Sequence, residues 1–191
     1  EYLALGDDPE AGEPALAKLL SGFSCSKNPD VERFLKKSAI EFTKKNQSVT
    51  YVVVSVKDGG LLGYFTLALK PLTVRGETVS NTTKKKLLRV SELDEKSDTY
   101  TMAAYLIAQL GKNYTDGRDK EITGEELIEL AWMVIEEAQY LFGGMVTFLE
   151  AENEEKLLSF YRDNRFSQFD TRLTASKEAE PHELVQLLRL L

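Results

Sequence analysis

The stretch LEAENEEKLLSFYRDNRF, residues 149 to 166, carries Tyr161 two residues after Ser159, with Asn153 and Asn164 at either end of its helical segment. A phenol of pKa about 10 can give its proton to a departing group, so a well-placed tyrosine is a candidate general acid. A tyrosine at a helix end equally packs its ring and caps a polar group, and the residues alone leave both roles open. Glu150, at the end of the preceding strand, is the carboxylate available as a general base, or else a structural or exposed one. A second group lies in the loop 113–124. Gly117 and Gly124 permit close backbone approach, Thr123 caps the next helix, and Arg118 and Lys120 bring cations, so amides plus two side chains could hold a diphosphate. Glu125 and Glu126 in the first turn complement the helix dipole and would compete with such an anion, so the spacing by itself reads as an ordinary helix start. Cys25 and His182 lie far apart without motif context and read as a buried thiol and a surface imidazole; Trp132 falls in an apolar helical pattern and reads as core.

The elements that must position these groups follow from periodicity. EPALAKLLSGF reads as a short helix ending at Gly22, and Asn28, Pro29 and Asp30 open a second through VERFLKKSAIEFTKK, with Val31, Phe34, Leu35, Ala39 and Phe42 as its apolar stripe. VTYVVVSVKDGGLLGYFTLALKPL reads as a hairpin reversing at Asp58, Gly59 and Gly60. Residues 74–99 have no clear period and read as an irregular excursion with a short helical piece at KKKLLRVSELD. YTMAAYLIAQLGKN is apolar at both parities and belongs in the centre of a sheet. The next helix opens on a Thr123/Glu126 capping box and closes at Gly143 and Gly144. Strand MVTFLEA, the Tyr161 helix, strand FSQFDTRLT and a final LVQLLRLL of either type complete the chain. The order implies a mixed sheet flanked by helices, with its parallel part around 100–150.

At 191 residues the chain suits one domain, and its 42% apolar and 29% charged residues are ordinary for a globular protein. No apolar run spans a bilayer, the first residues lack the pattern of a secretory signal, and a single cysteine excludes an internal disulfide; a cytoplasmic protein is expected. One thiol and one histidine do not make a soft-ligand metal site. The net charge of −7 should repel polyanions, and TKKKLLR (83–89) reads as a solvated face, so nucleic acid is not the expected partner.

Several pieces together resemble the GNAT-type N-acetyltransferases, within a group of small bacterial proteins that includes toxin acetyltransferases. GFSCSKNPDVERFLKKSAIEF is similar to that group's N-terminal Phe-x-Cys motif, GYFTLALKPL to its third strand, and YLIAQLGKN to the strand that receives the acetyl group. LEAENEEKLLSFYRDNRF is similar to the fifth strand, the Asn-containing helix start and the closing Phe-Tyr-x-x-x-Gly-Phe. Two departures stand out: DKEITG keeps only the final Gly124 of the coenzyme loop, with Ile122 where a glycine belongs, and Arg165 replaces the glycine of the closing motif. If Arg165 takes a positive φ there, the replacement costs about 1 kcal/mol.

The resemblance implies one GNAT-like acyltransferase domain over 1–191 with an irregular insertion at about 73–99, and a mixed, mainly antiparallel sheet whose central parallel strands splay apart. It implies acetyl-CoA as cosubstrate, its pantetheine lying between those strands. Main-chain groups of Leu110 and Lys112 would pair with the acetyl and pantetheine amides, the turn at Gly124 would meet the pyrophosphate, Asn153 the pantetheine arm, and Tyr161 the sulfur. The expected reaction is direct attack of a primary amine, from a small molecule or basic peptide, on the thioester. Two alternatives stand beside it. One is a non-catalytic interaction module, favoured by the degraded coenzyme loop. The other is a toxin acetylating aminoacyl-tRNA, disfavoured by the acidic balance. A homodimer is compatible with either enzyme.

Overall fold

In the computed structural model, the described residues are 9–174 and 181–191. The signal-sequence reading concerns the first residues and lies mostly outside them. The chain divides into two compact units, one made of the residues up to Leu67 with Gln109–Trp132, the other of Ala68–Ala108 with Met133–Leu191.

In the first unit, α1 (Pro9–Ser21) leads into α2 (Pro29–Lys37) and α3 (Ala39–Lys44). Asn28 starts α2 by accepting the amides of Asp30 and Val31, with Pro29 fixing the first turn. The single helix expected through VERFLKKSAIEFTKK is two, because Ser38, at φ −122°, ends α2 and begins α3. Phe42, expected in the buried stripe, is left exposed beyond that break. β1 (Val49–Val54) pairs antiparallel with β2 (Leu61–Arg75), and the reversal from Ser55 to Gly60 uses Gly59 at φ +71° and an Asp58 carboxylate that accepts the Gly60 amide at 3.0 Å. Leu16, Leu20, Phe23, Cys25, Leu35 and Tyr64 are in the core of this unit, so the thiol is buried as expected.

In the second unit, β2 runs on through Arg75, past the point where the sequence reads as irregular. The excursion is then ordered: α4 (Asn81–Leu87) starts on Ser80, whose hydroxyl accepts the Thr83 amide, and β3 (Glu92–Asp94) pairs with β4 (Thr99–Lys112). That cap starts the helix three residues ahead of the expected KKKLLRVSELD, whose last three residues are strand. The excursion closes at its base, where the Gly76 amide donates to the Asp98 carbonyl at 2.7 Å and Lys84 pairs with the Asp98 carboxylate at 2.9 Å.

α5 (Gly124–Phe142) is followed by β5 (Val146–Glu152), α6 (Glu155–Asp163), β6 (Ser167–Leu173) and β7 (Glu183–Leu190). LVQLLRLL is thus a strand. β5 is parallel to β4 and antiparallel to β7, which pairs in turn with β6; the strand order is β1-β2-β4-β5-β7-β6, with β3 on β4. The sheet is mixed and mainly antiparallel with one parallel pair, as the element order implied. Leu72, Val74, Tyr100, Met102, Val146, Phe148 and Phe169 centre the core of this unit. Among the described residues no helix is long and apolar enough to cross a membrane.

Candidate active site

The parallel ladder is short. It pairs Tyr105 with Thr147 and Leu106 with Phe148, and then Ile107 and Ala108 of β4 and Leu149 to Glu152 of β5 take no part in it. The other edge of β5 is fully used by β7, from Val146 opposite Leu190 to Glu152 opposite Leu184. A fork therefore opens after Leu106 and Phe148, and backbone groups on its sides are available to an extended ligand.

β5 leads directly into the Tyr161 helix. α6 ends in a Schellman motif: the Phe166 amide donates to the Tyr161 carbonyl at 3.0 Å, the Arg165 amide to the Arg162 carbonyl at 2.9 Å, and Arg165 takes φ +67°. Asn164 closes the same turn, its side-chain amide donating to the Phe160 carbonyl at 2.8 Å. The apolar contact that accompanies such a cap is Tyr161 on Phe166, ring centroids 5.9 Å apart, with Phe160 edge-on at 5.2 Å. The cap thus aims the phenol. Tyr161 is only 8% exposed, burial pushes its hydroxyl up to about 12, and among the described residues that hydroxyl has no hydrogen-bond partner. Asn153 is exposed in the turn before α6.

Glu150 takes the structural role that stood beside the general-base one. Its carboxylate is clamped by both nitrogens of the Arg172 fork and accepts the Gln186 amide at 2.9 Å. Burial raises its carboxyl, but Arg172 and Gln186 outweigh that and leave it below the ordinary value. A carboxylate so occupied is a poor general base.

The expected coenzyme loop belongs to the first unit. The Thr123/Glu126 capping box forms as expected: the Thr123 amide donates to Glu126 Oε2 at 2.7 Å and the Glu126 amide to Thr123 Oγ1 at 3.0 Å. These bonds hold the Glu126 carboxyl low. The amides of Gly124 and Glu125 have no partner among the described residues, as at any helix start. Ile122, in the place of the missing glycine, is buried. Arg118 pairs with Asp58 at 2.6 Å and Glu121 at 3.0 Å, so its guanidinium ties the β1–β2 turn to this loop. Arg118, with help from the Gly60 amide, depresses Asp58 to about 2. Lys120 is exposed. The Lys112 ammonium donates to the carbonyls of Asp119 at 2.6 Å and Ile122 at 2.8 Å, which leaves its main chain as the part that could meet a ligand.

Sequence reasoning passed over Arg172, whose partner lies on another strand, and Asn113, which is buried just past the end of β4. An asparagine after a strand is an ordinary turn residue, so its sequence signal is weak. His182, read as a surface imidazole, is exposed and meets Glu152 at 3.0 Å, and Trp132 is half-buried at the flank of the α5 stripe.

No family model and no curated protein matches the chain. Solved structures do. A Tyr-to-Phe mutant of KacT is 20% identical, with 90% of this chain and 86% of that one covered and a TM-score of 0.62. A Tyr-to-Phe mutant of the toxin AtaT is 17% identical, covering 90% and 82% at a TM-score of 0.61. AtaT complexed with acetyl-methionyl-tRNAfMet is 18% identical, covering 87% and 85% at 0.59. At these identities the likeness is one of fold: this chain shares the fold of the toxin AtaT and of KacT.

Proposed function

We propose that the chain, as one acyltransferase domain over 1–191, is an acetyl-CoA-dependent N-acetyltransferase that moves the acetyl group to a primary amine by direct attack on the thioester. The observation that carries this reading is the partnerless hydroxyl of the buried Tyr161, aimed by the α6 cap, on the helix that follows the forked strand β5. The fold supports it, since AtaT has been solved with acetyl-CoA.

In this reading main-chain groups of Leu110 and Lys112 pair with the pantetheine, the Thr123–Gly124 turn with Lys120 meets the pyrophosphate, and Asn153 touches the pantetheine arm. Glu126 already fills one amide of that turn, and this limits how tightly the pyrophosphate is bound. With Glu150 clamped and Arg118 paired, neither is assigned a catalytic or phosphate role. Water takes the proton from the attacking ammonium. The C–N bond forms, main-chain amides stabilise the oxyanion, the C–S bond breaks as Tyr161 gives its proton to the thiolate, and the second proton released by the acylated nitrogen returns through water to the Tyr161 phenolate. Burial raises the phenol, and the same burial would raise a thiolate beside it, so donor and acceptor shift in the same direction.

The test is thermal stabilisation by acetyl-CoA together with thiol release over an amine panel. Both should be seen in the wild type, and thiol release should collapse in Tyr161→Phe. No stabilisation at millimolar coenzyme, with the protein folded, would leave the non-catalytic module as the reading.

A second acceptor is favoured by one observation: the similar toxin AtaT is known with acetyl-methionyl-tRNAfMet. The amino group of an aminoacyl-tRNA is a primary amine, and the chemistry above serves it unchanged. Acetylation of charged tRNA, or growth arrest on expression, would select it over a small amine or basic peptide.

A further inference from the structure

We propose that Asn113 is a positioning residue for the coenzyme-binding end of β4, an inference that rests on the acetyltransferase reading above. The strand ends at Lys112 and the chain turns away at once, so its last main-chain groups would fray without a clamp. Asn113 supplies the clamp. It is 3% exposed and every hydrogen-bonding capacity of its side chain is used. Its Oδ1 accepts the Ser24 amide at 2.9 Å and the Thr115 amide at 3.1 Å. Its Nδ2 donates to the Leu61 carbonyl at 2.8 Å and stands 3.4 Å from the Gly22 carbonyl. Its own backbone amide donates to the Leu62 carbonyl at 2.8 Å. The Tyr114 amide to the Ser24 carbonyl at 2.7 Å, and the Thr115 hydroxyl to the Gly22 carbonyl at 3.0 Å, complete the cluster. Three segments far apart in sequence thus meet on one carboxamide: the loop after α1, the start of β2 and the end of β4.

Two residues earlier, Gly111 is closed in from the other direction. A Cβ there would run into Val31 and stand 3.5 Å from Phe23 Cζ, and a Cβ on Gly63 would stand 2.9 Å from the Gly111 carbonyl oxygen. The main chain of Leu110–Lys112 is therefore fixed between a tightly packed glycine and a saturated amide. A ligand that pairs with it pays little ordering cost. Only a carboxamide accepts and donates from one short side chain in this way. Aspartate would set a carboxylate oxygen against the Leu61 carbonyl, and alanine would orphan buried amides and carbonyls together.

The experiment compares the full chain with Asn113→Ala at a temperature where circular dichroism finds both folded. Kd and KM for acetyl-CoA should rise about tenfold or more while kcat at saturating coenzyme stays within about threefold. Amide hydrogen exchange should quicken at residues 22–25 and 110–115 and stay unchanged in β6 and β7. A purely structural asparagine would lower the melting temperature and leave coenzyme Kd and KM as they were; that result overturns the proposal. Asn113→Asp, isosteric and still able to accept from Ser24 and Thr115, takes the alanine variant's place if that one does not fold. Should the wild type itself not bind acetyl-CoA, the acetyltransferase reading falls separately, and unchanged exchange at 110–115 in the variant would then sink the positioning claim.

Discussion

Tyr161 donates no hydrogen bond to the described protein, yet its ring is enclosed by Phe160 and Phe166, so removing the hydroxyl should cost chemistry and not fold. Tyr161→Phe is expected to lower kcat by about 10² or more with acetyl-CoA KM within about threefold. Its melting temperature should match the wild type, because no protein partner is orphaned; a fall in stability with unchanged kcat would show a packing tyrosine. Glu150 gives the opposite expectation. Glu150→Gln breaks the Arg172 fork and should destabilise by about 1 kcal/mol, read by denaturant titration, while turnover stays within about threefold. A collapse of turnover with normal stability would restore Glu150 as the base.

At the scale of elements, Arg165 takes the left-handed position that glycine fills in the family motif, and the Schellman bonds form nonetheless. Arg165→Gly should stabilise the protein by about 1 kcal/mol, seen as a rise in the denaturation midpoint, with activity retained. The α5 start gives a second test. Thr123→Ala removes the hydroxyl from the capping box and should cost about 1 kcal/mol by the same measurement. The clasp of Asp58 on Arg118 gives a pH test. The Asp58 carboxyl is depressed, so its stabilising contribution is complete above its unfolded value near 3.8 and is lost as pH falls through about 2. NMR titration should find Asp58 ionised at pH 4 in the wild type and raised toward the ordinary carboxylate range in Arg118→Ala.

At the scale of the whole molecule, a charge of −7 argues against a polyanion as a whole-surface partner, but tRNA binding is decided by whichever face meets the phosphates. Lys85, Lys86 and Arg89 lie exposed on or just after α4, and Lys70 is exposed on β2, against an overall acidic background. If charged tRNA is the acceptor, its KM should climb steeply with salt while the KM for acetyl-CoA moves little. A salt-independent acceptor KM would point to a small amine.

Much of this was legible from local pattern. The Thr123–Glu126 box, the Asp58–Gly60 reversal and the apolar run of β4 are set by residues within a few positions of one another, so the sequence states them outright. The turn chemistry of α6 is local too, which is why Tyr161 stayed in register despite Arg165. What tertiary structure alone decided is partnership between distant residues: that Arg118 would be taken by Asp58, Glu150 by Arg172, and Asn113 by Ser24 and Leu61. Each side chain carries the same charge or dipole in sequence whether it faces a ligand or another residue. Only packing, by bringing a complementary group within about 3 Å, determines which one it faces.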